Sequence, residues 1–418
     1  MKATTKLLSL IGAAAMAGTA SAVNVTIDKV QQRYPWNGLV DIDYTLDGGV
    51  SVDTKFQVTV TAEGKTYSAT TFKQDFGLTR GKHRITWDTA ADNAKFFSKN
   101  ATVKMSLVDT TGTFYIFDLV NGGAPVITNC TVEAFSDDIY KTDKLVMRKL
   151  DGGTFTYTSQ LVGGGAGTRS GSATVGQFLC GIYEITRKQW FNIMGSYTQV
   201  YQQNAYTNTL PVSYVSYDMI RGTQYTDGDE TKTVNWPTTG TNVGTYNGSA
   251  SFMAALRAKI GNGYLFDLPT DRQQQFAYRG GKSTVFYDGC DDNSGSEATY
   301  KTLRKISHSW LTANEAGFKA INMDGATAGP AMVGCYAANS YGIYDLDGNQ
   351  NEWQLDWAGD VTTDTDLETG PKRLYGAGYW GDGAGRVRYH GASGRYAHVS
   401  SSNDLYGGSG FRVVSSIP

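Results

Sequence analysis

Acids and amides set among aromatic residues are the first chemistry this chain offers. They lie in Tyr341-Gly-Ile-Tyr-Asp-Leu-Asp-Gly-Asn-Gln-Asn-Glu-Trp353, followed by Gln354-Leu-Asp-Trp357. The oxygens of Asp345, Asp347, Gln350 and Glu352 are of the kind a hard cation such as calcium prefers. Beside Tyr344, Leu346, Trp353, Leu355 and Trp357 they read as buried, and each unsatisfied polar group would cost about 1–3 kcal/mol. Their partners must therefore be backbone N–H groups or a cation. The spacing departs from the calcium loop of helix-loop-helix proteins: with Asp345 as the first position, Gly348 falls fourth and not sixth. Gly348-Asn349 instead marks a turn open to left-handed backbone.

Thiols and imidazoles are sparse. Cys130, Cys180, Cys290 and Cys335 could form two disulfides in an oxidising compartment, in any of three connectivities, or stay buried and reduced. No Cys-x-x-Cys pair is present, which leaves redox and structural-zinc readings without support. His83, His308, His390 and His398 are scattered. From Tyr379 to Gly410 there is no Lys, Glu, Gln, Met, Ile, Thr or Pro, while Tyr, Gly, Ser, Asp, Asn, His, Arg and Ala dominate. That mixture suits an adaptable recognition surface, tyrosine giving rigid area and small polar residues flexible hydrogen bonding. Tyr379, Trp380, Tyr389, His390, Tyr396 and His398 are the expected contacts, with Arg386, Arg388 and Asp382 supplying charge specificity.

The elements that must position these residues fall into two units, as the length of 418 residues suggests. Residues 1–22 read as a secretory signal peptide. Lys2 and Lys6 precede an apolar run too short to span a bilayer, and Ala20-Ser-Ala22 offers a cleavage site. The mature chain is expected to be exported, with no membrane span. From 23 to 120, alternation in Leu39-Val-Asp-Ile-Asp-Tyr44, Phe56-Gln-Val-Thr-Val60 and Val103-Lys-Met-Ser-Leu107 predicts an immunoglobulin-like β-sandwich with Trp36 and Trp87 in its core. A linker over 121–143 and a second domain over 144–418 follow. Within the latter, helices are predicted after Thr186, after Ser251 and after Thr270, whose pairing with Gln273 makes a capping box. Leu161 to Ser172 reads as a loop, and beyond Gly281 no regular pattern remains. The fold class is thus mostly β with α+β character. With 37 basic against 39 acidic residues and no basic run, nucleic acid is not an expected partner.

Several blocks recur in a known order: Tyr183-Glu-Ile-Thr186, Leu210-Pro-Val-Ser-Tyr-Val-Ser216, Leu268-Pro-Thr270 with Ala277-Tyr-Arg-Gly-Gly281, Tyr341-Gly-Ile-Tyr-Asp345, Gly348-Asn-Gln-Asn-Glu-Trp353 and Gly410-Phe-Arg412. From Asp143 to Ser415 the chain resembles the formylglycine-generating enzyme, or sulfatase-modifying factor, family, whose fold is a loop-rich variant of the C-type lectin fold. The resemblance implies a structural calcium at Asp347, Gly348, Gln350 and Glu352, and a second metal loop around Asn314. It also exposes a departure. The family's oxidases bind copper through two cysteines, and the corresponding run, 375–410, has none, so copper is not expected. Sulfoxide-forming iron relatives carry a histidine-rich helical domain that is missing from this sequence. The segment from Tyr379 to Gly410 resembles the variable region of retroelement-diversified receptor-like proteins. The sequence therefore points to an exported, non-catalytic recognition or adhesion module for an extracellular protein or glycan. The alternative is an oxidase with altered ligands drawn from His390, His398 or Cys335.

Overall fold

The computed structural model describes residues 23–34, 37–52, 54–94, 100–108, 112–161, 168–197, 208–222, 243–292, 294–309, 329–357, 372–376, 378–382, 394–398 and 408–418. The expected signal peptide, Trp36, Asn314 with its loop, Arg386, Arg388, Tyr389 and His390 lie outside them. The described residues are mostly β, 38% of them in strands against 17% in helices.

Six strands open the chain: β1 (Val25–Gln32), β2 (Leu39–Leu46), β3 (Lys55–Ala62), β4 (Lys65–Ala69), β5 (Gly81–Asp88) and β6 (Thr102–Val108). They form two three-stranded antiparallel sheets, β1-β2-β5 and β4-β3-β6. The alternation read from the sequence sends Val40, Ile42 and Tyr44 of β2, Val58 and Val60 of β3 and Ile85 and Trp87 of β5 into one shared core. Asp92 ties this unit internally, accepting the Trp87 indole N–H at 2.7 Å and the Thr70 amide at 2.6 Å.

The next strands are β7 (Gly112–Asp118), β8 (Val126–Cys130), β9 (Lys144–Leu150), β10 (Gly153–Leu161), β11 (Thr168–Val175) and β12 (Phe178–Gly181). Two-residue strands follow at β13 (Thr245–Tyr246), β14 (Ser249–Ala250), β15 (Phe266–Asp267), β16 (Ser307–His308) and β17 (Asp347–Gly348), of which β13 pairs with β14 and β16 with β17. The chain closes with β18 (Asn351–Trp357), β19 (Arg373–Gly376), β20 (Gly394–His398), β21 (Ser409–Gly410) and β22 (Val414–Ser415). Two six-stranded sheets result, ordered β15-β22-β12-β9-β7-β8 and β11-β10-β20-β19-β18-β21. β7 and β8 stand on either side of the boundary expected near 120, yet they pair with each other and, through β7, with β9. The stretch expected as a linker also carries helix α1 (Ile139–Thr142), so it is folded onto the larger sheet and does not hang between units. Thr168 to Ser172, expected within a loop, is ladder backbone paired with β10.

The predicted helices α2 (Arg187–Met194), α4 (Phe252–Ile260) and α5 (Asp271–Arg279) form with their caps, and α3 (Tyr217–Arg221) begins on Ser216. Capping boxes are closed at both Thr186 and Thr270, and left-handed Gly195 and Gly280 end their helices. A sixth helix, α6 (Glu297–Ile306), lies where the sequence showed no pattern. Its buried side is Thr299, Thr302, Leu303 and Ile306, so two of the four inward residues are hydroxylated and the apolar period is half erased. The two units touch directly: Ser51 Oγ donates to the Asn339 carbonyl at 3.0 Å, the Val52 amide to Ala338 O at 2.8 Å, and the Tyr344 hydroxyl to Gly49 O at 3.0 Å.

Candidate functional site

The acidic turn is built on left-handed backbone at Asp345 (φ 53), Gly348 (φ 76) and Asn349 (φ 59). β17 runs parallel to β16, and a Cβ on Gly348 would sit 2.5 Å from the His308 carbonyl oxygen, so glycine is required there. Each acid of the turn finds a protein donor. Glu352 Oε1 accepts Arg412 Nη2 at 2.7 Å and Nε at 3.1 Å, and its Oε2 accepts Gln274 Nε2 at 2.6 Å. Asp347 accepts the Tyr278 hydroxyl at 2.6 Å, and Asp345 the Gly334 amide at 2.6 Å. Glu184 receives Asn349 Nδ2 at 2.6 Å and the Gln350 amide at 3.0 Å. Gln274 and Tyr278 are four residues apart on α5, so one helix face holds two acids of the turn.

These groups are out of water, and one guanidinium cannot neutralise them all. Burial, reinforced by Asp345 and Glu352, pushes Glu184 well above the ordinary carboxylate range. Burial likewise pushes Asp345 up to about 6, partly offset by the Gly334 amide and Arg412. Burial alone would lower Arg412, but Glu352, Cys180 and Glu184 outweigh it and hold the guanidinium charged. His308 is brought down to about 4 by burial, against a smaller upward pull from Gly329 O. It is a neutral ring, with Nδ1 3.0 Å from the Tyr336 hydroxyl and Nε2 2.9 Å from the Gly329 carbonyl.

The donor set does not fit a calcium held by the Glu352 carboxylate. Both of its oxygens are engaged by Arg412 and Gln274, and Asp347 faces Tyr278 instead of converging on the same point. Gln350 binds Ser213 through Nε2 at 2.9 Å, which leaves its Oε1 among the buried atoms without a hydrogen-bond partner. The physical reason is visible in the terminal Gly-Phe-Arg block: Arg412 brings to the turn the positive charge that the sequence reading assigned to a metal. Of the two alternatives for the cysteines, the structure has the reduced one, with no disulfide formed. All four cysteines are free; Cys180 sits in strand β12 and Cys335 in a separate small cluster with Ala331 and Tyr336. Burial pushes Cys180 up to about 12 and Cys335 up to about 11, so both are protonated thiols and not metal-ready thiolates.

The proposed recognition segment is anchored on this turn. The Trp380 amide donates to Asn349 O at 3.0 Å, and the Tyr379 and Trp380 rings meet edge to face at 5.8 Å. Both residues are half-buried. Asp382 is fully buried; its Oδ2 accepts the Tyr379 amide at 3.1 Å and its own amide donates back to Tyr379 O at 3.0 Å, so it closes a turn. Tyr396 and His398 belong to β20, in register with Tyr375 and Arg373 of β19. Close by, the Asn351 amide donates to Gly408 O at 2.8 Å, Asn351 is the parallel partner of Ser409, and the Gly408 backbone lies against the Tyr379 ring. On these touching segments Trp380 Nε1, Asn351 Oδ1 and Ser409 Oγ are buried and without a hydrogen-bond partner. Trp353 and Arg412 belong to the scaffold, the indole donating to Val215 O at 2.9 Å from a fully buried position. Glu184, Gln274 and Tyr278 were missed as partners of the turn. Their signal was present in the Tyr-Glu-Ile-Thr block and in the capped helix, but pairing across more than 60 residues leaves no local trace.

The model of the sulfatase-modifying factor enzyme 1-like domain matches residues 136–417. A relative named chaperone protein LppX, from Paenibacillus barcinonensis, is 28% identical over 217 residues, which is 47% of this chain and 70% of that protein. Among solved structures, Treponema denticola variable protein 1 is similar at 17% identity with a TM-score of 0.43, covering 65% of this chain and 95% of that one. Among the described residues no helix is long and apolar enough to cross a membrane.

Proposed function

We propose, for a chain that belongs to the sulfatase-modifying factor family, that the family frame serves recognition and not oxidation. The observation that carries this reading is the group of buried polar atoms without partners, Trp380 Nε1, Asn351 Oδ1 and Ser409 Oγ, on segments that touch Tyr379. Leaving such atoms unpaired costs stability, and a ligand that supplies the missing partners recovers it. An indole donor, an amide-oxygen acceptor, a hydroxyl that can do either and two aromatic faces suit a polar ligand with an apolar side, which an extracellular protein loop or glycan both provide. The absence of cysteine from 375–410 supports the non-catalytic side of the reading. We place this activity outside the cell, after removal of residues 1–22, with an immunoglobulin-like amino-terminal unit carrying a C-type-lectin-like domain.

The test is a screen of the mature chain against glycan and extracellular-protein arrays, followed by Tyr379→Ala and Trp380→Phe. Trp380→Phe removes the indole N–H while keeping an aromatic ring, and should weaken the selected ligand about fivefold or more, the worth of one hydrogen bond to a buried donor. Affinities unchanged in both variants would remove this surface from consideration. Formation of formylglycine in a Cys-x-Pro-x-Arg peptide by the copper-treated protein would overturn the non-catalytic reading.

A further inference from the structure

A second site, remote in sequence from the Tyr379 surface, lies where the amino-terminal unit meets α6. We propose that this cleft binds an acidic sugar, one or two rings bearing sulfate or carboxylate groups. Its volume is about 490 Å3, with residues 73–79 on one side and Lys301, Arg304 and Lys305 on the other. Four cations and one carboxylate, Asp75, line it. The three cations of α6 stand at i, i+3 and i+4, on the side opposite its buried residues, where like charges repel one another. The helix dipole accounts for Arg304 and Lys305 in the last turn, but not for Lys301 or for Lys73 across the cleft.

Asp75 is shared. Its Oδ2 lies 3.4 Å from Lys301 Nζ and 3.9 Å from Lys305 Nζ, and 69% of the Asp75 side chain is exposed, so both pairs are loose and solvated. Lys73 and Arg304 have partners of their own, Asp88 at 2.6 Å and Glu297 at 3.1 Å. A sulfate or carboxylate entering the cleft would replace one carboxylate at two lysines at once. Phe76 and Leu78 contribute apolar lining on which the C–H face of a sugar ring can rest. The volume admits a disaccharide, and the near-neutral chain, 37 basic against 39 acidic residues, lacks the wider basic field that a nucleic acid would need.

Calorimetric titration of the full chain with a trisulfated heparin disaccharide, its unsulfated counterpart and inorganic sulfate, at matched ionic strength, tests the assignment. The sulfated disaccharide should bind, more weakly as salt rises, and the unsulfated one should not. Lys301→Gln with Lys305→Gln should weaken binding about tenfold or more, the loss expected for two charge-assisted contacts. Asp75→Asn should tighten it, a gain that a merely damaged fold cannot give. Trp380→Phe should leave it unchanged, which separates this site from the Tyr379 surface. Equal binding of the unsulfated disaccharide, wild-type affinity in the double variant, inorganic sulfate binding as tightly as the sugar, or a short single-stranded oligonucleotide binding more tightly than it would each overturn the proposal.

Discussion

Glu352 and Arg412 are both fully buried and bonded to each other, so neither can be removed without stranding the other's charge. Arg412→Met should lower stability by about 3–5 kcal/mol in urea unfolding; a loss below about 1 kcal/mol would mean that water reaches the pair. The same geometry bears on calcium. With the Glu352 oxygens already engaged, chelation should leave the melting temperature where it was, whereas a drop of several degrees would show a cation taking the place assigned to Arg412. Asp345 gives a pH test. Its folded value is raised, so the folded chain takes up the proton first, and this stabilisation is present in acid and lost as pH rises through about 6. His308 has the opposite sign: its folded value is lowered, and stability falls as pH drops from about 6.5 toward 4. Asp345→Asn keeps an oxygen for the Gly334 amide and a residue that tolerates positive φ. Between pH 7 and 4.5 the stability difference should shift by about 2 kcal/mol in favour of wild type. A difference that stays constant with pH would show Asp345 to titrate as an ordinary carboxylate. At this scale the sequence showed that the acids needed partners, but not that the partners were Arg412, Gln274 and Tyr278, because a composition rich in oxygens reads the same whether a metal or a guanidinium answers it.

Helix α5 and the β16–β17 bridge hold the turn between them, and they differ in how far they could be read in advance. The capping box at Thr270 is a local signal and fixed the start of α5 correctly. The bridge joins Ser307–His308 to Asp347–Gly348, and two-residue strands carry no period to detect. Gly348→Ala tests the bridge. The left-handed backbone and the approach to the His308 carbonyl both oppose a side chain, so a loss of about 2 kcal/mol or more is expected in thermal or urea unfolding. A neutral result would mean that the two strands separate at no cost. Helix α6 escaped prediction for a different reason: threonine can fill an inward position, but it leaves no apolar stripe in the sequence.

Across the whole molecule, the period-two pattern correctly marked the early strands as strands, but periodicity names no partners, and β7 and β8 found theirs in the second unit. The family match begins at residue 136, yet the sheet it must complete already includes Gly112–Asp118, with Phe114 to Asp118 laid along β9. What looks in sequence like a self-contained cassette is two strands short of its own wall, β7 and β8 both lying before it. If recombination moved only 136–417 into another gene, β9 would arrive with a bare edge inviting intermolecular pairing. A transplanted unit that keeps this wall intact would therefore have to begin no later than Gly112, where β7 starts.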